Sequence, residues 1–488
     1  MPAQDAPFKL CCVMTEPRVL ITLQRDPSEA PILHAEAVFP MAGPFELQLP
    51  TWRPGRYELG QFAQFILRME GMTSDGSWKS LTKSDLHRWL MEPGMSRVRW
   101  SFQADILNAG STCIEPGLLY VNPVNCILYQ PDHMDWGYDI TLLDIPQQWT
   151  FATALPRTNM TLHAQNAQQV MDSPFMVAES LWHATYEAGG VDFHIWAYGQ
   201  NTPNKAQFIA DHQRFSESQI AHFKSFPTEF YHFLYLFPER ETRHGVEHED
   251  STVITLGPSS KCLTQSGYDE LIGIASHELY HAWNVKRIRP IEWMPYDFSK
   301  ACPSQLGYIA EGVTTYMGDL FLYESGCIDL DGWCRKMERL LERHINNPGR
   351  LNMSVAQSSY DTWLDGYQAG VPGRKGSIYV EGAVLAFLCD VQIMQLTNGE
   401  SSLQTAMQLL WEQFGKQRIG LTAPDYWSVL NEVAGGSHEL DDLREKHADG
   451  CADTWEALVA AMDWQGLTLT QAADEKGILR AKIVQKAA

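Results

Sequence analysis

The sequence predicts an α+β protein in which a β-rich N-terminal domain precedes a mostly helical one. Residues 15–200 consist of short alternating or apolar runs separated by turn clusters of Pro, Gly, Asp and Ser, as in a sandwich or an open twisted sheet. From about residue 205 the hydrophobic period changes, and beyond residue 266 most apolar segments have helical spacing. A chain of 488 residues, 44% of them hydrophobic, is long enough for two or three packed domains.

The elements follow in order along the chain. The clearest strands of the first part are 18–23, 33–39, 45–49, 98–102 and 193–198. Residues 206–223 then suit a helix, and 230–237 and 252–256 suit buried strands. The later candidate helices are 267–287, 306–324, 329–346, 377–396, 402–415 and 424–433. We expect a β-rich domain over 1–200, a second domain over 201–435 and a short appendage of unassigned fold over 436–488.

Charge and composition argue against several classes of partner. With 37 Lys and Arg against 59 Asp and Glu, the formal net charge is -22, and such a surface repels phosphate backbones and anionic lipid. The apolar run 10–14 is too short for the core of a signal peptide, and no later segment is expected to span a bilayer. The ten cysteines are scattered without a CxxC pair, which is typical of reduced, buried thiols. We expect a cytoplasmic protein that binds neither nucleic acid nor membranes.

The segment ASHELYHAWN, residues 275–284, carries the chemistry. It lies in a predicted helix that begins near Ser266 and stops before Pro290. His277 and His281 are one turn apart and project from one face, so two imidazoles can reach one ion, with Glu278 beside them as a candidate general base. The alternative is two ordinary histidines on a buried helix, since the neighbouring positions are apolar around most of the circumference.

A third ligand is available on the next predicted helix. Glu311 lies there among apolar residues, and its carboxylate would complete a His/His/Glu set. Such a set leaves the fourth position open for water, as catalytic zinc requires. The alternative is a glutamate that only favours the dipole at the start of a helix.

Several motifs together resemble one protein family. HELYHAWNVKRIRP (277–290) followed by EGVTTYMGD (311–319) resembles the glycyl aminopeptidase family of gluzincin, thermolysin-like zinc metallopeptidases. TWRPGRY (51–57), HGVEHEDST (244–252) and SIYVEGAVLAFLCD (377–390) resemble, in the right order, its N-terminal β domain, its edge strand and a later helix. The resemblance implies a thermolysin-like catalytic domain, with a small mixed sheet and a mostly helical half, and Zn²⁺ as cofactor on His277, His281 and Glu311.

The resemblance also implies how the reaction is catalysed. Glu278 corresponds to the general base that takes a proton from water and returns it to the leaving amine. Tyr379 resembles the tyrosine that stabilises charge on the carbonyl oxygen in gluzincin aminopeptidases. From the residues alone, a core tyrosine is the stronger interpretation of Tyr379. Its rivals for the catalytic role are Tyr316, Tyr360 and Tyr367.

Substrate binding is implied for the edge-strand motif. Glu247 corresponds to the glutamate that captures the free α-amine of the substrate, and Gly245 and Val246 on the same strand are expected to bind the substrate as well. A carboxylate there would place the first peptide bond over the metal. On composition alone, a solvated surface charge is an equally good interpretation of Glu247.

The chain departs from the family pattern in two respects. After residue 435 it shows no recognisable carboxylate-binding loop of the PDZ domain that many members carry. Ala310 precedes Glu311, where thermolysin-like enzymes can use a polar residue, so the group that orients His281 is not identified; Asp319 is one candidate.

The expected function is therefore a zinc-dependent aminopeptidase acting on peptides with a free N-terminus. Removal of N-terminal Gly or Ala is what the family implies. One alternative is a zinc endopeptidase in which Glu247 is incidental. The other is a non-catalytic, zinc-containing peptide-binding protein, although such a protein has no use for the general base or for an open coordination position.

Overall fold

The computed structural model describes residues 16–367 and 370–486. Its N-terminal part consists mainly of strands, which confirms the predicted β-rich half. The strands are β1 (Arg18–Arg25), β2 (Ile32–Val38), β3 (Phe45–Gln48), β4 (Ile66–Met72), β5 (Trp78–Ser80), β6 (Lys83–Asp85), β7 (Arg88–Met91), β8 (Arg97–Gln103), β9 (Cys113–Glu115), β10 (Leu118–Val121), β11 (Gly137–Leu143), β12 (Thr150–Thr153), β13 (Arg157–Thr158), β14 (Thr161–Ala164) and β15 (Phe175–Ala178). The short helices among them are α1 (Pro123–Cys126) and α2 (Ala167–Met171).

These strands form three sheets. The largest has the order β13-β14-β11-β1-β2-β8-β4-β5, and the others are β12-β15-β10-β9 and β3-β7-β6. The large sheet is antiparallel except where β1 pairs with β11. In β8, Val98, Trp100 and Phe102 are buried while the residues between them are less so. The two-residue period in the sequence therefore marks a sheet with one face on a hydrophobic core.

A fourth sheet, of five strands, belongs to the part of the chain that follows β15 and carries the HELYH motif, called the zinc-motif half below. Its strands are β16 (Trp182–Ala188), β17 (Val191–Gly199), β18 (Phe230–Phe237), β19 (Thr242–Glu247) and β20 (Ser251–Gly257), in the order β16-β17-β18-β20-β19. β18 and β20 are buried along nearly their whole length, as expected of central strands, and β19 lies at the edge. β16 and β17 belong to this sheet although they precede residue 200. The domain limits at 200 and 435 stay a prediction.

Helices account for most of the remaining chain. They are α3 (Lys205–Phe223), α4 (Gln265–Tyr280), α5 (Thr314–Glu324), α6 (Leu330–Ile345), α7 (Val355–Asp365), α8 (Ile378–Leu396), α9 (Leu403–Leu410), α10 (Ala423–Val433), α11 (Asp441–Leu443) and α12 (Trp455–Trp464). Single π-helical turns precede α5 (Tyr308–Val313), follow α9 (Trp411–Gly415) and follow α11 (Arg444–Ala448). The result is the predicted α+β, thermolysin-like architecture.

The predicted bounds of the zinc-motif helix are wrong at both ends. Thr264, not Ser266, caps α4, because the Thr264 hydroxyl accepts a hydrogen bond from the amide of Gly267 at 3.1 Å. At the other end α4 stops at Tyr280 rather than at 287. Lys286, which lies beyond this end, is buried in an ion pair: its Nζ atom lies 2.9 Å from an Asp172 carboxylate oxygen.

One helix was missed as a candidate membrane span. α8 is long and apolar enough to cross a bilayer by length and composition, contrary to the expectation that no segment is. However, 72% of its apolar window is buried inside the protein. α8 packs against the π-helical turn that carries Glu311, and it is a core helix that helps to place the site.

The C-terminal appendage, which the sequence left unassigned, consists of α12 followed by a hairpin of β21 (Leu467–Ala473) and β22 (Leu479–Gln485). The hairpin packs against α6 and α12. Leu467, Leu469, Ala481 and Ile483 point into the same hydrophobic core as α4 and α8. The eight cysteines within the described residues are all free thiols, as predicted, and Cys11 and Cys12 lie outside those residues.

Candidate active site

The end of α4 brings two histidines together, with His277 in its last turn and His281 at its C-cap. The Nε2 atoms of His277 and His281 are 3.0 Å apart, and the ring planes are nearly perpendicular. His281 is buried and His277 is partly exposed, with 18% of its side chain accessible. The pair therefore presents two imidazole nitrogens at a place that solvent reaches through His277, not inside a sealed core.

Glu311 arrives from the π-helical turn before α5. Its Oε2 atom lies 3.6 Å from His277 Nε2 and 3.4 Å from His281 Nε2. The turn is held by a close approach to α8, since a Cβ atom on Gly312 would lie 2.3 Å from Gly382 Cα. Wider backbone turns of this kind inside helices are common at functional sites.

These three side chains fit a tetrahedral zinc ion. Ligands about 2.0–2.1 Å from such an ion are about 3.3 Å apart. The observed separations of 3.0, 3.4 and 3.6 Å bracket this value. The local charge also favours a cation: although burial opposes it, the negative charge of Glu311, Glu247 and Glu278 raises the pKa of His281 to about 10.

The far side of His281 is held by the backbone. Its Nδ1–H donates to the carbonyl of Asn284 at 2.7 Å, which leaves Nε2 free to face the metal site. The Asn284 side chain donates in turn to the carbonyl of Ile309 at 2.9 Å, so one residue links α4 to the turn that carries Glu311. Asp319, the sequence-based candidate for orienting His281, is instead paired with Lys336 at 2.7 Å. That prediction is wrong.

Glu278 lies beside the ligands without joining them. It is 5% exposed, and its Oε2 has no hydrogen-bond partner among the described residues. Burial is the largest cause that raises its pKa well above the ordinary value for a glutamate. The edge strand approaches it closely, since a Cβ atom on Gly245 would lie 2.0 Å from Glu278 Oε1. Only glycine leaves room for the carboxylate in this position.

Glu247, at the end of β19, joins the same cluster. One carboxylate oxygen each of Glu247 and Glu278 and a ring nitrogen of His281 lie within 4.8 Å of one another. Glu247 is 3% exposed and is not the solvated surface charge that composition allowed. Its Oε1 has no partner in the part of the chain that the structure describes, although the atom is buried. Val246 points the other way, into a core with Leu234 and Val253.

The β-rich half forms the wall behind Glu247. Gly55, in a left-handed conformation at φ 76°, packs so closely that a Cβ atom there would lie 2.4 Å from Glu247 Oε2. The buried Arg53 guanidinium donates to His244 Nε2 at 3.2 Å. Burial, together with this cation, lowers the pKa of His244 to about 3, so the ring is a neutral acceptor. His244 is thus bound to Arg53 and does not belong to the cluster of His277, His281 and Glu311.

Tyr379 lies near the imidazole of His277. Its ring centre is 6.5 Å from that of His277, and its hydroxyl is 3.5 Å from the hydroxyl of Tyr367. Tyr316 is excluded as a rival because its hydroxyl donates to Asp390 at 2.5 Å inside the core. Tyr360 is 47% exposed. Of the four tyrosines considered from the sequence, Tyr379 and Tyr367 therefore remain as candidates for the catalytic hydroxyl.

One site residue was missed by the sequence. The hydroxyl of Tyr57, from the TWRPGRY segment, donates to Glu311 Oε1 at 2.6 Å, and both side chains are buried. The segment resembled a family motif, which was the available signal. Its role could not be derived, because 254 residues separate the two partners and only the tertiary fold brings them together.

His248, Asp172 and Lys286 fasten the two halves beside the site. The Asp172 carboxylate accepts hydrogen bonds from His248 Nδ1 at 3.1 Å, Lys286 Nζ at 3.0 Å and the amide of Glu249 at 2.9 Å. All three side chains are buried. His248 thus takes part in the contact between the two halves and does not belong to the cluster of His277, His281 and Glu311.

Comparison with known proteins assigns the family. The profile of the M61 glycyl aminopeptidase matches residues 270–385, and that of the peptidase M61 N-terminal domain matches residues 22–179. Together these ranges span more than half of the chain. The chain belongs to the M61 glycyl aminopeptidase family. Membership makes it a metallo-aminopeptidase, a peptide hydrolase.

Solved structures show the same fold. An aminopeptidase N family protein from Idiomarina loihiensis superposes with a TM-score of 0.85 at 22% identity, over 94% of this chain and 81% of that one. An M1 zinc metallopeptidase from Deinococcus radiodurans gives 0.52 at 13% identity, over 88% and 92%. A variant of an M1 zinc metallopeptidase from that organism, bound to a Tyr-Ser-Ala substrate, gives 0.52 at 14% identity, over 90% and 94%. A comparison with curated protein sequences gave no match.

Proposed function

We propose that this protein is a zinc-dependent aminopeptidase that removes the N-terminal residue of peptides, with Gly or Ala preferred. The observation that carries the proposal is the convergence of two carboxylates of different role on the ligand set. Glu278 and Glu247 are both buried, both reach His281 within 4.8 Å, and each leaves one oxygen without a protein partner among the described residues.

His277, His281 and Glu311 would hold the ion. Zinc bound there would supply a water of lowered pKa and would polarise the scissile carbonyl. Glu278 would act as general base: its free oxygen would accept a proton from the attacking water and return it to the leaving amine. Tyr379 donates its hydroxyl hydrogen to the developing charge on the carbonyl oxygen. Tyr367, at 3.5 Å from that hydroxyl, is the second candidate for this donation.

Glu247 accounts for exopeptidase action. A buried carboxylate oxygen without a partner is costly, and a substrate ammonium group satisfies it. An amine held there places the first peptide bond beside Glu278, because the two carboxylates lie so close together. Longer substrates would be rejected only if their amine were blocked, since binding depends on the charged N-terminus.

The edge strand orients the rest of the peptide. β19 pairs with β20 on one side only, so its other backbone edge is available to an extended peptide. Gly245 contributes backbone without a side chain that would displace Glu278. Val246 contributes its backbone alone because its side chain is in the core. The preference for Gly or Ala is supported by the family's description as glycyl aminopeptidases.

Matched peptides with free and acetylated N-termini test the proposal. We expect the acetylated peptides to lose nearly all hydrolysis, with Gly and Ala leading a panel of N-terminal residues. Glu247→Gln should raise KM for free-amine peptides and change little for the acetylated ones. Equal cleavage of both peptide forms would instead establish the endopeptidase alternative. A metal-loaded protein that binds peptides without cleaving any would establish the non-catalytic one.

A further inference from the structure

The carboxylate of Glu311 is divided between two partners. Its Oε2 faces the imidazoles at 3.4 and 3.6 Å, while its Oε1 accepts the hydrogen bond from Tyr57 at 2.6 Å. Within the described residues, Tyr57 is the only hydrogen-bond donor to Oε1. A carboxylate held by one oxygen in this way presents a single, oriented oxygen to a metal ion.

Tyr57 is itself held rigidly. Its ring stacks on Trp293 with centres 4.7 Å apart and planes 15° apart. The indole N–H of Trp293 donates to the carbonyl of Cys302 at 2.7 Å, and both aromatic rings are buried. The phenol therefore keeps one orientation, and little conformational freedom is lost when its hydrogen bond forms.

The backbone of Tyr57 also contacts one of the two candidate catalytic tyrosines. The backbone amide of Tyr57 donates to the hydroxyl of Tyr367 at 3.2 Å, and that hydroxyl lies 3.5 Å from the hydroxyl of Tyr379. Four residues along the chain, Arg53 contacts His244 on the edge strand. The segment 53–57 of the β-rich half therefore contacts the edge strand, the proposed metal ligand Glu311 and Tyr367.

We propose that Tyr57 is a positioning residue for the metal ion: it fixes Glu311 so that one oxygen alone is offered as ligand, which makes ion affinity depend on the β-rich half. The proposal rests on the metal site of the proposed function. It goes beyond that function by assigning part of the metal affinity to a residue that contacts neither ion nor substrate.

Equilibrium binding of metal by the full chain tests this proposal. The metal-free protein is titrated with Zn²⁺ against a competing chelator, and with Co²⁺ while its visible absorption is recorded. Tyr57→Phe removes one oxygen atom and should weaken Zn²⁺ binding by about 10- to 100-fold, the usual loss when a partner of a metal ligand is removed. The Co²⁺ spectrum should shift, since Glu311 is free to bind through both oxygens.

Tyr186→Phe is the matched control. Tyr186 is buried in the zinc-motif half, and its hydroxyl is 2.9 Å from that of Ser216, so this variant also loses a buried hydroxyl contact. It should leave both metal titrations unchanged. Trp293→Phe, which keeps the Tyr57 hydroxyl but reduces the stacking surface beneath it, should weaken Zn²⁺ binding by less than Tyr57→Phe. It also provides a test should Tyr57→Phe fail to fold.

The outcomes separate this proposal from the proposed function. Wild-type affinity and spectrum in Tyr57→Phe would overturn the role of Tyr57 while leaving the peptidase intact. Weakened binding in that variant, combined with a wild-type protein that cleaves no peptide, would uphold the role of Tyr57 and reject the peptidase. A wild-type protein that binds neither ion would overturn both.

Discussion

Replacing Gly245 by alanine tests the spacing between the edge strand and the general base. The new Cβ atom would lie 2.0 Å from Glu278 Oε1 and 2.8 Å from Ile274 Cγ2, whereas real Cβ contacts are essentially never below 3.0 Å. The carboxylate must therefore withdraw by at least about 1 Å, and a displacement of that size can cost roughly 100-fold in rate. We expect kcat/KM to fall by about this factor while metal content stays at the wild-type level.

The assay is steady-state hydrolysis of a free-amine peptide, with metal content measured on the same samples. Gly370→Ala is the control, because a Cβ atom there meets no atom of the described residues within 4 Å. Glu278→Asp shortens the side chain that is struck, so Gly245→Ala should cost much less in that background than in the wild type. If Gly245→Ala retains more than half of the wild-type kcat/KM, the close approach of strand and base does not govern catalysis.

Two further predictions concern stability. Asp172→Asn leaves the fully buried ammonium of Lys286 without its carboxylate and should lower the free energy of unfolding by about 3–5 kcal/mol in denaturant titrations; combining it with Lys286→Met should recover part of this loss, and a strictly additive double variant would contradict the pairing. Burial lowers the pKa of His212 to about 4. The Nε2 atom of this buried ring lies 2.6 Å from the hydroxyl of Tyr235. Between pH 6.5 and pH 4 this histidine is protonated in the unfolded chain but stays neutral in the folded one. The free energy of unfolding therefore decreases as the pH falls from 6.5 towards 4, by about 2 kcal/mol at pH 5. His212→Gln should remove this part of the difference between pH 7 and pH 5, and an unchanged pH dependence would refute the assignment.

The grouping of the three proposed metal ligands was predictable because its signal is mostly local. The spacing of His277 and His281 on a helix fixes their common face, and the structure brings Glu311 to within 3.6 Å of both imidazoles. The strands of the first half were predictable for the same reason, since alternation in β8 follows directly from one buried face. The roles of His277, His281 and Glu311 as metal ligands remain a proposal.

Two of the features that sequence reasoning missed depend on distant contacts, and a third depends on a backbone group. Tyr57 reaches Glu311 only because the β-rich half packs on the zinc-motif half. The buried ion pair of Lys286 was also missed, because its partner Asp172 lies 114 residues away in the chain. Asn284 orients His281 through a backbone carbonyl, and a backbone group leaves no signature in residue identity.

One measurement tests the central claim most directly: metal content and turnover of Glu278→Gln. Because we propose Glu278 as the general base and not as a ligand, the variant should keep one bound ion per chain and lose at least about 100-fold in kcat, the usual contribution of a general base. Turnover near the wild-type level would contradict the assignment of the base. Loss of the ion together with activity would contradict the separation of the three ligands from the catalytic carboxylate.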